Sequence, residues 1–445
     1  MASGICLITA GGAGMFCGSC MQDNTLVRSL RMAGAEALLI PTYTPIRVDE
    51  QNVSDTRVFL GGINVYLDSR VPGWRLIPRS LRSWLDRPAV VSMLSRFSSS
   101  TTAADLGPLT VDMLRGPEGP QRAELDELCQ FVVRDQRPEV LVLSNALISG
   151  VLPALRESGW TGRTVVLIQG DDIFLRDLPE PWQQQSVDLI SRNCRDVDLF
   201  CSHSEWYADQ MSEYLRLPRE RFCGIPLQIE DCADDWLAAR KPASAEVTIG
   251  YFARICPEKG AFRLLDAASR VLRRKDTLRF QIAGYLPGLH KAAFEKRLRK
   301  LQREFGDRVN WQGSPADRAQ KFGCLSQFDW LCVPAPYAEP KGLYVLEAAL
   351  AGVPSIVPAH GAFPERIAAL GAGRLFAADS DAELDAALLA AEPRSTLPQM
   401  ADLRARCLER FGMEVSGAEV LRAISVQPGQ RSDAEHRGAP RTAGG

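Results

Sequence analysis

No stretch of the 445-residue chain holds the about 18 uninterrupted apolar residues that a bilayer-crossing helix needs. The first residues also lack the basic start of a secretory leader, and the apolar run Ile5–Ala10 ends at once in glycines. That run reads as a first buried strand. The expected location is cytoplasmic, with peripheral contact to the inner face of the membrane left open. Net charge is close to zero: 52 Lys and Arg face 54 Asp and Glu, a formal −2. A chain so balanced has no overall pull toward nucleic acid, and no nucleic-acid partner is expected, although a local patch can still hold phosphates or a lipid surface. Disulfide spacing is missing too. The 12 cysteines are scattered, and several, such as Cys6, Cys201 and Cys332, sit in apolar strand-like runs as small hydrophobes of a reducing compartment. Cys17-Gly18-Ser19-Cys20 has C-x-x-C spacing, but no second pair of zinc ligands accompanies it. The segment reads as a tight glycine loop, and no metal is expected.

What is present is a repeated alternation of apolar strands and amphipathic helices, the pattern of parallel sheets covered on both faces. Strands are expected at Gly4–Ala10, Ala37–Ile40, Val140–Leu143, Thr164–Ile168 and Asp198–Cys201, with helices at Asp23–Ala33, Arg122–Asp135, Pro181–Cys194 and Glu205–Tyr214. A polar stretch from about Glu230 to Ala245 reads as a linker, after which the alternation restarts. Strands follow at Val247–Phe252, Phe280–Ala283, Val309–Trp311, Trp330–Val333 and Ser355–Val357, with helices at Ala261–Arg274, Lys291–Phe305, Ala316–Leu325 and Tyr344–Ala351. The restart implies two Rossmann-like domains, 1–228 and 229–412, then a helix at 413–426 that returns to the first domain and a disordered tail at 427–445. Residues 68–119, rich in proline and arginine, read as an insertion on the first domain. Its short apolar segments Leu81–Leu85 and Val90–Phe97 suit a lid, an acceptor platform, a membrane-facing helix or a plain surface excursion.

Three loops carry chemistry. Pro334-Ala-Pro-Tyr-Ala-Glu339-Pro-Lys341-Gly342-Leu343-Tyr-Val-Leu-Glu347 leads from a buried strand into an apolar helix. Backbone N–H groups from Lys341 to Leu343 would leave the helix N-terminus facing a diphosphate or sugar hydroxyls. Glu347, one turn inside an apolar helix, needs hydrogen-bonding partners, and the two hydroxyls of a ribose or a nearby cation would serve. Gly250-Tyr-Phe-Ala-Arg254-Ile-Cys-Pro-Glu-Lys259-Gly260 also follows a strand and opens a helix, offering two cations to a phosphate or to solvent. Gly11-Gly12-Ala-Gly14 follows the first strand. Its spacing is not a dinucleotide fingerprint, but glycines there can bring backbone N–H groups to a phosphate.

The segment from Glu339 to Pro354 resembles the E-x7-E signature of retaining glycosyltransferases of the GT-B fold, specifically glycosyltransferase family 4. The two glutamates, the glycine before leucine, Leu346-Glu347-Ala348, Gly352 and Pro354 match, whereas Pro340-Lys341 stands where Gly-Phe is commoner. Arg254 and Lys259 fit the family's G-R-x-x-x-x-K-G, with Ala253 in place of its first glycine, and Gly11-Gly12 fits its first loop. No lysine stands two residues before that glycine pair, which disfavours the starch and glycogen synthase branch. At the end of the Thr164–Ile168 strand, Gln169 occupies a place where the family often has histidine.

The resemblance implies a nucleotide-diphosphate sugar as co-substrate, no tightly bound cofactor, and a glycan, lipid or small molecule as acceptor. It makes Arg254 and Lys259 the diphosphate clamp, with Gly11, Gly12, Lys341, Gly342 and Leu343 lining the donor site and Glu347 on the ribose. Glu339 would contact the sugar or stabilise its positive charge, so the catalytic set is Glu339, Arg254 and Lys259. Gln169, Asp171, Asp172 and His203 are candidate contacts for acceptor or sugar. Asp171 and Asp172 have an equally good reading as a capped turn before a helix, and His203 as a strand-end residue, and Ser204 is placed to cap the following helix. His360, on the loop after the Ser355–Val357 strand, is a weaker candidate for the cleft. A GT-B epimerase or phosphorylase, or a non-catalytic binding protein of the same descent, remains an alternative.

Overall fold

The computed structural model describes residues 4–11, 18–48, 50–60, 103–231, 245–393 and 397–425. Two parallel sheets of six strands organise it. The first contains β1 (Gly4–Thr9), β2 (Glu36–Pro41), β3 (Val140–Leu143), β4 (Arg163–Ile168), β5 (Leu199–Ser202) and β6 (Phe222–Gly224), in the order β2-β1-β3-β4-β5-β6. The second contains β7 (Val247–Phe252), β8 (Leu278–Ala283), β9 (Val309–Trp311), β10 (Trp330–Cys332), β11 (Ser355–Pro358) and β12 (Arg374–Phe376), in the order β12-β11-β10-β7-β8-β9. Helices of the first half are α1 (Gly18–Met32), α2 (Ala103–Leu114), α3 (Arg122–Gln130), α4 (Val151–Glu157), α5 (Asp171–Asp177), α6 (Trp182–Asn193) and α7 (Glu205–Tyr214). Those of the second are α8 (Ala261–Val271), α9 (Gly288–Phe305), α10 (Arg318–Leu325), α11 (Leu343–Leu350), α12 (Phe363–Leu370), α13 (Asp381–Leu389) and α14 (Leu397–Phe411), followed by α15 (Met413–Ser425).

Strand periodicity explains why both sheet faces are covered. Along β1, Cys6 and Ile8 join one apolar cluster while Ile5 and Leu7 join another on the opposite face. The second sheet is packed in one continuous core that includes Ile249, Phe280, Leu331 and Ile356. The last helix leaves that core. Val420 and Ile424 of α15 pack with Val27 and Leu30 of α1 on the first half. Gly417 makes this crossing close, since a Cβ there would stand 2.4 Å from the Ser29 carbonyl oxygen.

Several expected boundaries shift. Helix α1 begins at Gly18, not Asp23, so four polar residues (Gln22 to Thr25) lie buried within it. The expected Arg122–Asp135 helix relaxes after α3 into a π-turn at Phe131–Gln136, closed by Arg137 at φ 47°. Edge strands β6 and β12, three residues each, were not expected. Residues 232–244 of the expected linker, most of the 68–119 excursion with both its helix candidates, and the 427–445 tail lie outside the described residues. The excursion's final part is helix α2, which buries Val111 and Leu114.

Candidate active site between the two sheets

In an open parallel sheet, ligands bind beyond the carboxyl ends of the strands, where successive connections diverge to opposite sides. The strand orders put that point between β1 and β3 in the first sheet and between β7 and β10 in the second. The loops leaving these four strands begin at Ala10, Ser144, Ala253 and Val333. They carry Gly11, the Arg254–Gly260 segment and the Glu339–Gly342 segment. Gly11 has φ 69°, and a Cβ on it would stand 2.3 Å from the Thr44 carbonyl oxygen. Gly12, Gly14 and Cys17 lie outside the described residues.

The structure brings Lys259 and Glu339 into a salt bridge across the two loops of the second half. Glu339 is buried, with 5% exposure. Burial pushes its pKa up, but the Lys259 ammonium, the Lys341 charge and the Gly342 N–H outweigh that and hold it below the ordinary carboxylate value. The Tyr344 hydroxyl also lies 3.3 Å from Glu339 Oε2. Two glycines allow this geometry. Gly260, at φ 72°, lets the Lys259 loop come so close to the β10 exit that a Cβ would stand 2.1 Å from the Pro334 oxygen. Gly361, at φ 61°, lies against the Glu339 backbone, while the Ala362 N–H donates to the Glu339 oxygen at 2.8 Å. Arg254 is exposed and makes no ion pair among the described residues. Gly342, at φ 72°, ends the loop and precedes Leu343, the first residue of α11.

Glu347 lies one turn into α11 with 9% exposure, and the Lys321 ammonium of α10 is 3.0 Å from its Oε1. The pairing neutralises a charge that the apolar helix could not otherwise hold.

Contacts cross between the halves on the same side. Lys341 reaches out of the second half to Ser19 Oγ at 3.0 Å and Gln169 Oε1 at 3.3 Å. Gln169 in turn donates through Nε2 to Asp23 Oδ1 at 2.7 Å and to the Ser144 oxygen at 2.9 Å. Its amide is therefore fully engaged. Two of the departures from the family pattern, Gln169 and Lys341, are one feature: a bridging amide between a buried carboxylate of one half and a cation of the other. Ser204 Oγ donates to the Pro340 oxygen at 3.0 Å and caps α7 by accepting from Tyr207 N. Glu365 of α12 accepts from Glu205 N and Trp206 N at 3.1 and 2.9 Å, so a carboxylate of the second half caps a helix of the first. Arg366, buried, donates to the carbonyls of Lys341 and His203.

The remaining candidates divide. Asp171 accepts from Ala146 N at 2.6 Å and Gln169 N at 2.8 Å. Both carboxylate oxygens thus hold backbone, as a turn residue's would, and burial raises its pKa to about 6. Asp172 accepts from Tyr207 Oη at 2.5 Å, and Tyr337 Oη of the second half lies 3.4 Å from the same oxygen. His203 is buried at the end of β5, and burial, reinforced by the Lys341 and Arg366 charges, pushes its imidazole down to about 3, leaving it neutral. His360 Nε2 lies 3.0 Å from the Ala335 oxygen, fastening the β10 exit loop. Asp23, Lys321, Tyr337, Glu365 and Arg366 complete the arrangement without having stood out in the sequence. The signal for Asp23 was the polar run inside α1; for the others no sequence pattern marks the partner. Among the described residues, no group of three His, Cys, Asp or Glu side chains is placed to hold a metal ion.

Residues 234–406 match the family model of group 1 glycosyl transferases. No curated protein sequence matches the chain. Solved structures do. Sucrose-phosphate synthase from Thermosynechococcus elongatus superposes with a TM-score of 0.63 at 16% identity, covering 94% of this chain and 97% of that one. The catalytic domain of starch synthase IV from Arabidopsis thaliana, bound to ADP and acarbose, gives 0.62 at 13% identity, covering 96% and 100%. Anabaena HepE in complex with UDP and glucose gives 0.60 at 13% identity, covering 95% and 99%. At such identities the likeness establishes the fold, the two-sheet GT-B arrangement.

Proposed function

We propose that the protein transfers a glycosyl group from a nucleoside-diphosphate sugar to an acceptor, with retention at the anomeric carbon. The observation that carries this reading is the Lys259–Glu339 pair standing beside the N-terminus of α11, at the strand ends where the group 1 match falls. A departing diphosphate accumulates negative charge as the glycosidic bond breaks. A fixed ammonium and outward-facing N–H groups lower that barrier without reorganising. Lys259 would serve the phosphate while held in place by Glu339, and the exposed Arg254 would close over it. Glu347, with one oxygen on Lys321, keeps the other for the ribose hydroxyls.

Retention follows from a same-face displacement. The bond from the anomeric carbon to the phosphate oxygen breaks, the acceptor oxygen bonds on the same face, and its proton passes to the leaving phosphate. No protein nucleophile is then required. Glu339, already engaged by Lys259 and Tyr344, is suited to stabilising the sugar's positive charge. The bound nucleotides of the starch synthase and HepE structures support a nucleotide donor, uridine or adenosine based.

The experiment is a thermal-shift screen of uridine, guanosine and adenosine diphosphate sugars, followed by assay of nucleotide release with and without acceptor. Acceptor-dependent release, with the product's anomeric configuration unchanged by NMR, is expected. Stabilisation by no nucleotide would overturn the assignment. Release that needs no acceptor would point to an epimerase, and sugar 1-phosphate formed from a glycan and phosphate, with no nucleotide released, to a phosphorylase.

A further inference from the structure

Helix α9 presents two opposed faces. Phe294, Leu298 and Leu301 are buried against the second core. Opposite them, at spacings of three, four and seven residues, Leu289, Lys296, Lys300 and Arg303 form one outward stripe about 21 Å long. Leu289 is 87% exposed, and Tyr285, in the loop that enters the helix, is 53% exposed. The helix carries six Lys or Arg against two Glu, in a chain whose net charge is −2. Neither glutamate neutralises the stripe. Glu295 lies 3.3 Å from Arg299 and 4.0 Å from Lys291, and Glu304 takes both bonds of Arg273, at 2.7 and 2.9 Å. Lys296, Lys300 and Arg303 make no ion pair among the described residues.

We propose that this face docks on an anionic lipid surface. The three cations lie over the headgroups, and Leu289 and Tyr285 enter the interfacial layer. Charge complementarity selects an anionic partner, and the apolar tip selects among such partners. A leucine held almost wholly in water gains nothing from a phosphate backbone but is stabilised at the headgroup–acyl boundary, where a tyrosine beside it also sits well. The tip lies at the β8 exit, on the same strand-end side as the candidate active site. Docking there would set the edge of the site against the membrane.

The test is flotation of the full chain with vesicles of phosphatidylcholine alone and of phosphatidylcholine with phosphatidylglycerol. Binding only to the mixed vesicles, weakened by added salt, is expected. At about 1 kcal/mol per basic residue, Lys296→Gln/Lys300→Gln/Arg303→Gln should lose about 150-fold in partitioning. Leu289→Ser should lose about 10-fold. Nucleotide affinity should be unchanged in both, which shows that they fold and separates this inference from the proposed transfer. Equal partitioning of the triple variant would overturn the proposal. So would binding to a single-stranded RNA oligomer with no binding to mixed vesicles, which would give the face to nucleic acid.

Discussion

Lys259→Met tests the candidate site where two effects can be told apart. The lysine holds a carboxylate that is 5% exposed and stands where a diphosphate would lie. Removing one partner of a buried ion pair costs about 3–5 kcal/mol. Glu339 would keep the Tyr344 hydroxyl, the Gly342 N–H and the Lys341 charge, so the low end, about 3 kcal/mol, applies. For a cooperative unit of this size that lowers Tm by roughly 6–12 °C. The loss should depend on pH with a definite sign. In the native protein the Glu339 pKa is depressed, so its contribution is present above the ordinary carboxylate pKa and is lost as pH falls through the lowered value. In the variant, burial is no longer outweighed and the pKa rises above ordinary. Stability is then full at low pH and is lost as pH rises. The gap in Tm between the two proteins should therefore widen from pH 5 to pH 8. Calorimetric titration with nucleoside diphosphates should show affinity weaker by about 1.5–3 kcal/mol, a factor of roughly 12 to 160. Adding Glu339→Gln to Lys259→Met should restore most of the Tm and none of the affinity. A folded Lys259→Met variant with unchanged nucleotide affinity would refute the diphosphate role, and a gap that is constant with pH would refute the electrostatic account of Glu339.

Three further outcomes follow from the same contacts. Lys321→Met should cost the stability of an unpaired buried carboxylate, about 3–5 kcal/mol, read as a lower Tm, and a second change, Glu347→Gln, should recover most of it; calorimetry should show weaker nucleotide binding in Glu347→Gln alone. Asp171, raised to about 6 by burial, contributes stability that is full below its unfolded pKa and is lost as pH rises through 6. Asp171→Asn should start lower, by about 1–3 kcal/mol for one unpaired backbone N–H, and lack that decline in a Tm series from pH 4.5 to 7.5. Lys341→Met removes the cation that bonds Ser19 and Gln169 across the halves, worth about 1.5–3 kcal/mol. Hydrogen exchange should rise together in the first turns of α1 and in the 337–342 loop, and unchanged exchange in α1 would refute the cross-half contact.

The fold was legible because it rests on local signals. Each long strand is an apolar run between turn residues, and the restart of alternation near residue 245 reads directly as a second sheet. The edge strands β6 and β12 escaped because each has only three residues and is partly exposed, leaving no apolar run to detect. Ser204 was legible as a cap because capping acts over three residues, and the structure has that bond to Tyr207. The loops with Lys259 and Glu339 were legible as loops, each being a strand exit rich in Gly and Pro.

Partnership was not legible, since it is a property of topology. Lys321 and Glu347 stand 26 residues apart, and Lys341 and Gln169 stand 172 apart. Nothing in either segment names the other. Taken singly, Gln169 is a missing histidine and Lys341 a missing phenylalanine, and each weakens the resemblance to the family. Taken together they account for each other. A buried lysine at the β10 exit requires acceptors, and a glutamine at the β4 exit supplies one while its amide nitrogen engages Asp23. A neutral histidine there would have one acceptor nitrogen and one donor, and protonation near neutral pH would set it against the lysine. Glutamine has no charge to gain, so no protonation of this residue sets the bridge from Asp23 to Lys341 against the lysine. The glutamine that counts against the resemblance is therefore what a consistent site containing this lysine demands.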